Sequence, residues 1–159
     1  MKNHFLFPNS FKKIGWILFV PSLLIQVITI IFKIDLDKYL NVNVLALYQE
    51  TLGEKPGFFS IIENSICDEL LTIFLIIGGI FICFSKLKNE DEYISKIRYE
   101  SLVWSTYLNY FFILFFTVSL YGMPYLNVLF YNMFTLLLFF IIRFHYKIYQ
   151  LNNITNNDE

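Results

Sequence analysis

The 159-residue chain is long enough for one domain, and its composition is that of a membrane protein. Hydrophobic residues make up 57% of the sequence and charged residues only 16%, against about a quarter in soluble globular domains. The formal net charge of −1 gives no electrostatic basis for nucleic-acid binding, so nucleic acids are not expected as partners.

The first predicted membrane span follows a short basic segment and covers residues 14–32, which carry no charge. A cleaved signal peptide is the alternative interpretation, because the chain starts with a basic segment. The apolar stretch is too long for that, and no pair of small residues at cleavage-site spacing follows it. The sequence therefore predicts a permanent anchor.

Residues 33–60 form the only sizeable segment predicted to lie outside the membrane. Residues 39–46 alternate partly with period two, which indicates a short strand or an extended stretch. Gly53 to Gly57 is typical of a turn, and residues 58–62 are predicted to reach the membrane interface before the second span.

The second span is predicted over residues 66–84. Its helix is expected to begin at Ser60 or Ser65, because each is followed three residues later by an acid, as in a capping box. Asp68 and Glu69 then lie in the first turns, where the helix dipole favours negative charge. The functional alternative is that these two acids form a ring at a pore mouth in an oligomer.

The glycines and cysteines of the second span have separate implications. Gly78 and Gly79 would permit close approach by a neighbouring helix. Cys67 and Cys83 are 16 residues and about 24 Å apart on one helix, so they cannot form a disulfide with each other. Neither is spaced from a histidine as metal ligands are, and we expect no metal or other cofactor.

The connector at residues 85–100 is charged, and it predicts a third helix that begins near Glu90 outside the membrane and continues into the span. Asn89 is a suitable cap, and one face of the projecting helix has apolar spacing. The residues predicted to form an interaction surface at this end are Glu92, Arg98, Glu100, Trp104 and Arg143.

The third and fourth spans, at about residues 101–121 and 125–143, form a helical hairpin. Residues 101–142 contain no Asp, Glu, Lys, Arg or His, and Gly122 with Pro124 breaks the run near its middle. Folding about this break places Asn109 near the depth of Thr135, and Thr117 near that of Asn127.

Polar residues within this hairpin have two interpretations. Hydrogen bonds between the two helices are the simpler one, and a polar path for an ion is the other, although such a path normally contains ionisable groups. The candidate intramembrane contacts are Ser105, Asn109, Asn127, Asn132 and Thr135.

Charge asymmetry predicts the orientation of the chain. Residues 1–13, 85–100 and 143–159 carry three, four and two Lys or Arg, whereas the opposite side carries three. The positive-inside rule then places both termini in the cytoplasm. The predicted fold class is an all-α integral membrane protein with four transmembrane helices, a single domain over residues 1–149, and a disordered tail over 150–159.

Several segments resemble a group of small uncharacterised membrane proteins of Bacteroidota. The resemblance rests on residues 11–16, 90–94, 98–102, 131–135 and 142–146, and it spans most of the chain. It implies a bacterial cytoplasmic membrane as the location and carries no activity with it.

The sequence predicts a function without catalysis, because it contains no nucleophile paired with a base, no intramembrane carboxylate pair and no phosphate-binding loop. The first hypothesis is an interaction, assembly or regulatory module that acts through the cytoplasmic extension of the third helix. Its expected partners are the lipid bilayer and either further copies of the chain or another membrane or cytoplasmic protein. The alternative is an oligomeric transport or pore-forming protein.

Overall fold

The structure is a computed structural model that describes residues 5–49, 57–88 and 90–157. Four helices in it are long and apolar enough to cross a membrane. They are α1 (Ser10–Phe32), α2 (Cys67–Phe84), α3 (Glu92–Ser119) and α4 (Met123–Asn157). The prediction of four membrane-spanning helices is confirmed at this level, and the chain is suited to cross a membrane four times.

A β-hairpin lies between α1 and α2, and it modifies the all-α prediction. Strand β1 (Asn41–Gln49) pairs with β2 (Gly57–Ser65) in antiparallel register, with Asn41 opposite Ser65. The predicted strand at residues 39–46 is thus confirmed with a shifted start, whereas β2 was not predicted. The predicted turn lies outside the described residues except for Gly57.

The predicted helix start at Ser60 is wrong, because Ser60 lies inside β2. Aromatic and β-branched residues dominate residues 58–62, and these residue types favour a strand over a helix. Only Ile66 separates β2 from α2. The hydroxyl of Ser65, the other predicted start, accepts a hydrogen bond from the Cys67 amide at 3.4 Å.

The described part of the chain divides into two compact units, and the first contains residues up to Phe19 together with those from Ile76 onward. Within it, α1 and α2 approach closely where Gly15 meets Gly78. A Cβ added to Gly78 would lie 2.7 Å from the Phe19 amide nitrogen and 2.9 Å from the Gly15 carbonyl oxygen. The close approach predicted at Gly78 and Gly79 is confirmed, most tightly at Gly78.

The helical hairpin of α3 and α4 also belongs to this first unit. Helix α3 ends at Ser119 and α4 begins at Met123, with Gly122 between them at φ +72°. Glycine adopts this left-handed conformation at no steric cost, which explains the position of the turn. The buried apolar side chains of this unit include Ile82, Phe140 and Phe144.

The second unit covers Val20–Leu75 and contains the β-hairpin. Lys33, the residue after the end of α1, adopts the left-handed conformation (φ 51°), and the Ile34 amide donates to the Thr29 carbonyl at 3.1 Å. This is the hydrogen-bond pattern of a Schellman cap, with lysine where glycine is usual. The Ser65 hydroxyl donates to the Tyr39 carbonyl at 2.7 Å and so fastens the base of the hairpin.

Two helix ends differ from the predictions. Helix α3 is capped by Asp91, whose carboxylate accepts from the Ile94 amide at 2.7 Å, so it begins two residues after the predicted Glu90. Helix α4 continues to Asn157, where a disordered tail was predicted from Gln150. The prediction of disorder rested on the asparagines of this segment, which have weak intrinsic helix propensity, but the helix continues through them.

Candidate functional site

Arg98 forms the most extensive set of polar contacts among the charged side chains that the structure describes. It is 7% exposed. Its Nη2 donates to both carboxylate oxygens of Glu90, at 2.9 and 3.0 Å. Its Nη1 donates to the carbonyl oxygens of Cys83, at 2.7 Å, and Ser85, at 3.2 Å. We call Arg98, Glu90 and these two carbonyl groups the arginine cluster.

The arginine cluster supplies hydrogen-bond donors to the carbonyl groups at the C-terminal end of α2. The last carbonyls of a helix have no partner within the helix, and they form the negative end of its dipole. The guanidinium supplies donors and positive charge to the carbonyls of Cys83 and Ser85. The Phe84 carbonyl between them accepts from the Phe7 amide at 2.9 Å. Three consecutive carbonyls are therefore bonded by side chain and backbone from elsewhere in the sequence.

Aromatic rings enclose the same region. The guanidinium carbon of Arg98 lies 4.7 Å from the centre of the Phe144 ring, a cation–π distance. Phe7, which pairs with Ser85 in a parallel bridge, places its ring 5.2 Å from that of Phe81. The low dielectric of this setting strengthens the ion pair and makes the loss of either partner costly.

Arg98 was predicted to belong to the interaction surface, but its side chain is buried and bonded within the chain. Its side chain is directed into the chain because it follows Ile94 by four residues and lies beside Ile97, both of them buried. The predicted apolar face of α3 includes Ile94 and Ile97 but not Arg98, which lies beside it. These two apolar neighbours are the sequence signal that indicates burial of the Arg98 position.

The other predicted interaction residues are more accessible. Glu92 and Glu100 are exposed, and Trp104 is 38% exposed. The guanidinium carbon of Arg143 lies 4.5 Å from the centre of the Trp104 ring. Arg143 and Trp104 therefore form a cation–π pair between α4 and α3.

A second polar cluster, the amide network, joins α3 to α4 through Asn109, Asn132 and Thr135. The Thr135 hydroxyl donates to Asn109 Oδ1 at 2.7 Å, and Asn132 Nδ2 donates to the same oxygen at 3.1 Å. Asn132 Nδ2 also lies 3.1 Å from the Thr135 hydroxyl oxygen. The predicted juxtaposition of Asn109 and Thr135 is confirmed, and hydrogen bonds across the helical hairpin account for these three side chains.

The remaining predicted polar contacts do not join this network. Ser105 is buried, and its hydroxyl donates to the Leu102 carbonyl of its own helix at 2.9 Å. Asn127 is exposed. The hydroxyl of Thr117 lies 3.1 Å from that of Tyr125, two residues before Asn127. The structure thus brings three of the five predicted residues together.

The two candidate pore-mouth acids lie at the start of α2, in the second unit. Asp68 and Glu69 are exposed in its first turn, and Glu69 Oε1 accepts from Asn64 Nδ2 at 2.9 Å. Negative charge in the first turn interacts favourably with the helix dipole, so the dipole interpretation accounts for both acids within a single chain.

His145 was the one histidine near the predicted third and fourth spans. Its Nδ1 lies 2.9 Å from the Ile141 carbonyl oxygen, and its ring meets that of Trp16 edge-on at 5.4 Å. Because a carbonyl can only accept, Nδ1 carries the proton in this arrangement. Within residues 5–49, 57–88 and 90–157, no three His, Cys, Asp or Glu side chains are grouped to hold a metal ion.

One face of the β-hairpin presents an apolar surface that sequence reasoning missed. Leu45 lies opposite Ile61, Leu47 follows Leu45 by two residues along β1, and Phe59 precedes Ile61 by two residues along β2. These four side chains are 62%, 75%, 66% and 71% exposed in that order. We call them the hairpin face.

Comparison of the chain with protein-family models, with curated proteins and with solved structures found no match.

Proposed function

We propose that this protein is a non-enzymatic, multi-pass protein of a bacterial cytoplasmic membrane that acts as an interaction or assembly module. Both termini lie in the cytoplasm in this proposal, and the β-hairpin lies on the opposite side of the membrane. The excess of Lys and Arg in the terminal and connector segments supports that orientation. The resemblance to bacterial membrane proteins supports the location.

The hairpin face is the observation that carries the proposal. Its four large apolar side chains are 62–75% exposed, and exposed apolar patches commonly mark sites of interaction with proteins or membranes. Among the described residues the sheet has two strands, so both of its edges present backbone groups that no third strand pairs. A strand from a protein partner can supply hydrogen bonds to such an edge, which lipid chains cannot.

Isolated two-stranded hairpins are at best marginally stable in water, so an added strand would stabilise this one.

The contacts of the arginine cluster limit the surface that the start of α3 offers to a partner. Because Arg98 is bonded within the chain, the start of α3 offers only its exposed side, with Tyr93 and Tyr99 at 55% and 69% exposure. We rank that side as the second interaction surface.

Site-specific photocrosslinking in living bacteria tests the proposal. A photoreactive phenylalanine analogue at Leu47 is expected to give a protein–protein adduct of discrete mass. The matched control is the same analogue at Tyr121, which is 78% exposed and lies on the same predicted side of the membrane. Adducts to lipid alone at Leu47, or equal protein adducts at both positions, would contradict the proposal.

Native mass spectrometry of the purified protein distinguishes the proposal from a pore. A ring of four or more subunits that also conducts ions in liposomes would support the transport alternative. The hydrogen bonds within the amide network favour the interaction module, because Asn109, Asn132 and Thr135 direct polar atoms at one another. An ion path would require those atoms to face water.

A further inference from the structure

A cavity of about 310 Å³ lies between α3 and α4, beside the amide network. Phe112 and Phe116 line it from α3, and Val128, Tyr131 and Phe139 line it from α4 together with Asn132 and Thr135. Phe112 and Tyr131 are 37% and 42% exposed, so the cavity is a groove that opens to the outside of the helix pair.

The walls of this groove are almost entirely apolar. The rings of Phe112 and Phe139, one from each helix, are nearly parallel at 5.7 Å between centroids and 27° between planes. Phe116 continues the stack on Phe112 at 6.2 Å and 22°. Three aromatic rings with similar orientation therefore form one continuous wall.

The polar groups of Asn132 and Thr135 in the lining bond to each other and to Asn109. Thr135 donates to Asn109 Oδ1, and the Asn132 amide nitrogen contacts both Asn109 and Thr135. A bound water needs two to four polar partners, and apolar cavities without them stay dry and take apolar molecules. The groove is thus suited neither to an ion nor to a sugar, but to hydrocarbon.

The depth of the groove identifies the hydrocarbon. Thr135 lies 12 residues after the start of α4 at Met123, about 18 Å along the helix axis. A bilayer core is about 30 Å thick, so in a spanning helix this residue is near the middle. The surrounding phase at that depth consists of lipid acyl chains.

Size is consistent with part of one acyl chain. An apolar cavity of about 150 Å³ takes one benzene molecule, so a cavity about twice as large takes roughly a dozen carbon atoms.

A helix from a second copy is a poorer occupant. Helices associate in membranes where small residues let their backbones approach, as Gly15 and Gly78 do within this chain. The groove has bulky aromatic rims that prevent such an approach.

We propose that the groove between α3 and α4 is a binding site for a single acyl chain of a membrane lipid. The amide network holds the two helices at the separation that keeps the groove open, and the stacked phenylalanines provide its wall. The site is independent of the proposed interaction function and of the β-hairpin.

Crosslinking with a photoreactive lipid tests this site. The protein is reconstituted in vesicles of phosphatidylethanolamine and phosphatidylglycerol that contain a phosphatidylcholine with a diazirine midway along one acyl chain. After illumination, mass spectrometry is expected to find several-fold more adduct at the lining residues Phe112 and Tyr131 than at Leu114 and Val118. The latter two are 67% and 74% exposed on α3, so adducts spread in proportion to exposure would overturn the proposal.

A pair of substitutions provides the matched control. Val128→Trp fills the groove and is expected to reduce the lining adducts several-fold, whereas Leu129→Trp adds the same side chain at an adjacent, 41% exposed position and leaves them unchanged. Equal adduct yields in the two variants would overturn the proposal, as would crosslinks between two protein copies at the lining residues. The map of the unsubstituted protein decides the question on its own if Val128→Trp does not fold.

Discussion

Arg98 connects three parts of the chain through one side chain: the start of α3, the loop residue Glu90 and the end of α2. Its side chain and that of Glu90 are 9% and 15% exposed, so solvent screens their attraction little. The guanidinium also provides donors that two backbone carbonyls otherwise lack. Its role is structural, and it follows from the geometry of a helix end.

Arg98→Met is expected to lower the free energy of unfolding by about 3–5 kcal/mol, because it leaves the Glu90 carboxylate and two carbonyls without their partner. Thermal or denaturant unfolding in detergent micelles measures the change. Lys96→Met, at an exposed position two residues earlier, is the matched control and should stay within about 0.5 kcal/mol of the parent protein. Equal effects of the two substitutions would refute the assignment.

The double variant Glu90→Gln with Arg98→Met separates the ion pair from the carbonyl contacts. Removing the carboxylate charge should recover part of the stability that Arg98→Met alone loses, since the remaining side chain is neutral. If the two losses simply add, the ion pair makes no net contribution and the carbonyl contacts account for the whole effect.

At the scale of elements, α1 and α2 depend on the absence of side chains at one crossing. A methyl group on Gly78 would lie 2.7 Å from the Phe19 amide nitrogen, and backbone atoms cannot move aside as a flexible side chain can. On neighbouring Gly79, the nearest atom to such a methyl group is the Leu137 Cδ1 at 3.0 Å. The two adjacent glycines therefore differ in what surrounds them.

Gly78→Ala is expected to destabilise the first unit by about 1–3 kcal/mol, the usual cost of overpacking. Gly79→Ala should cost clearly less, because the end of the Leu137 side chain can rotate away. Unfolding in detergent, monitored by circular dichroism, measures the loss of stability in the two variants, each of which replaces one glycine by alanine. A smaller loss for Gly78→Ala than for Gly79→Ala would contradict the packing described here.

At the scale of the whole molecule, the distribution of charge predicts which ends face the cytoplasm. In a Cys67→Ser background, Cys83 is 1% exposed and should not react. A cysteine at Leu47 is then expected to react with a membrane-impermeant maleimide in intact cells, whereas one at Lys88 should react only after permeabilisation. The reverse pattern would invert the proposed orientation.

Much of the helical architecture could be predicted because hydrocarbon excludes charge. The second span was predicted over residues 66–84 and α2 covers Cys67–Phe84, while α1 ends at the predicted Phe32. The helical hairpin and the contact of Asn109 with Thr135 followed from counting residues on either side of Gly122. These features depend on local composition and spacing alone.

Other features depend on contacts between distant segments. Strand β2 was missed because Phe58, Phe59, Ile61 and Ile62 place apolar residues on both faces, which conceals the period of two. The contacts of Arg98 with the end of α2 could not be predicted from residue spacing, because every residue has a backbone carbonyl and the sequence does not mark which ones accept. The groove likewise arises from how aromatic rings of two helices face each other.

The arginine cluster also implies an order of events during synthesis. The ribosome makes Ser85 13 residues before Arg98, which at about 5–20 residues per second is roughly one to three seconds. Phe7, whose amide donates to the Phe84 carbonyl, has already been made by then. The partners of the C-terminal end of the second span therefore become available in two stages, first from the segment that precedes α1 and then from the third helix.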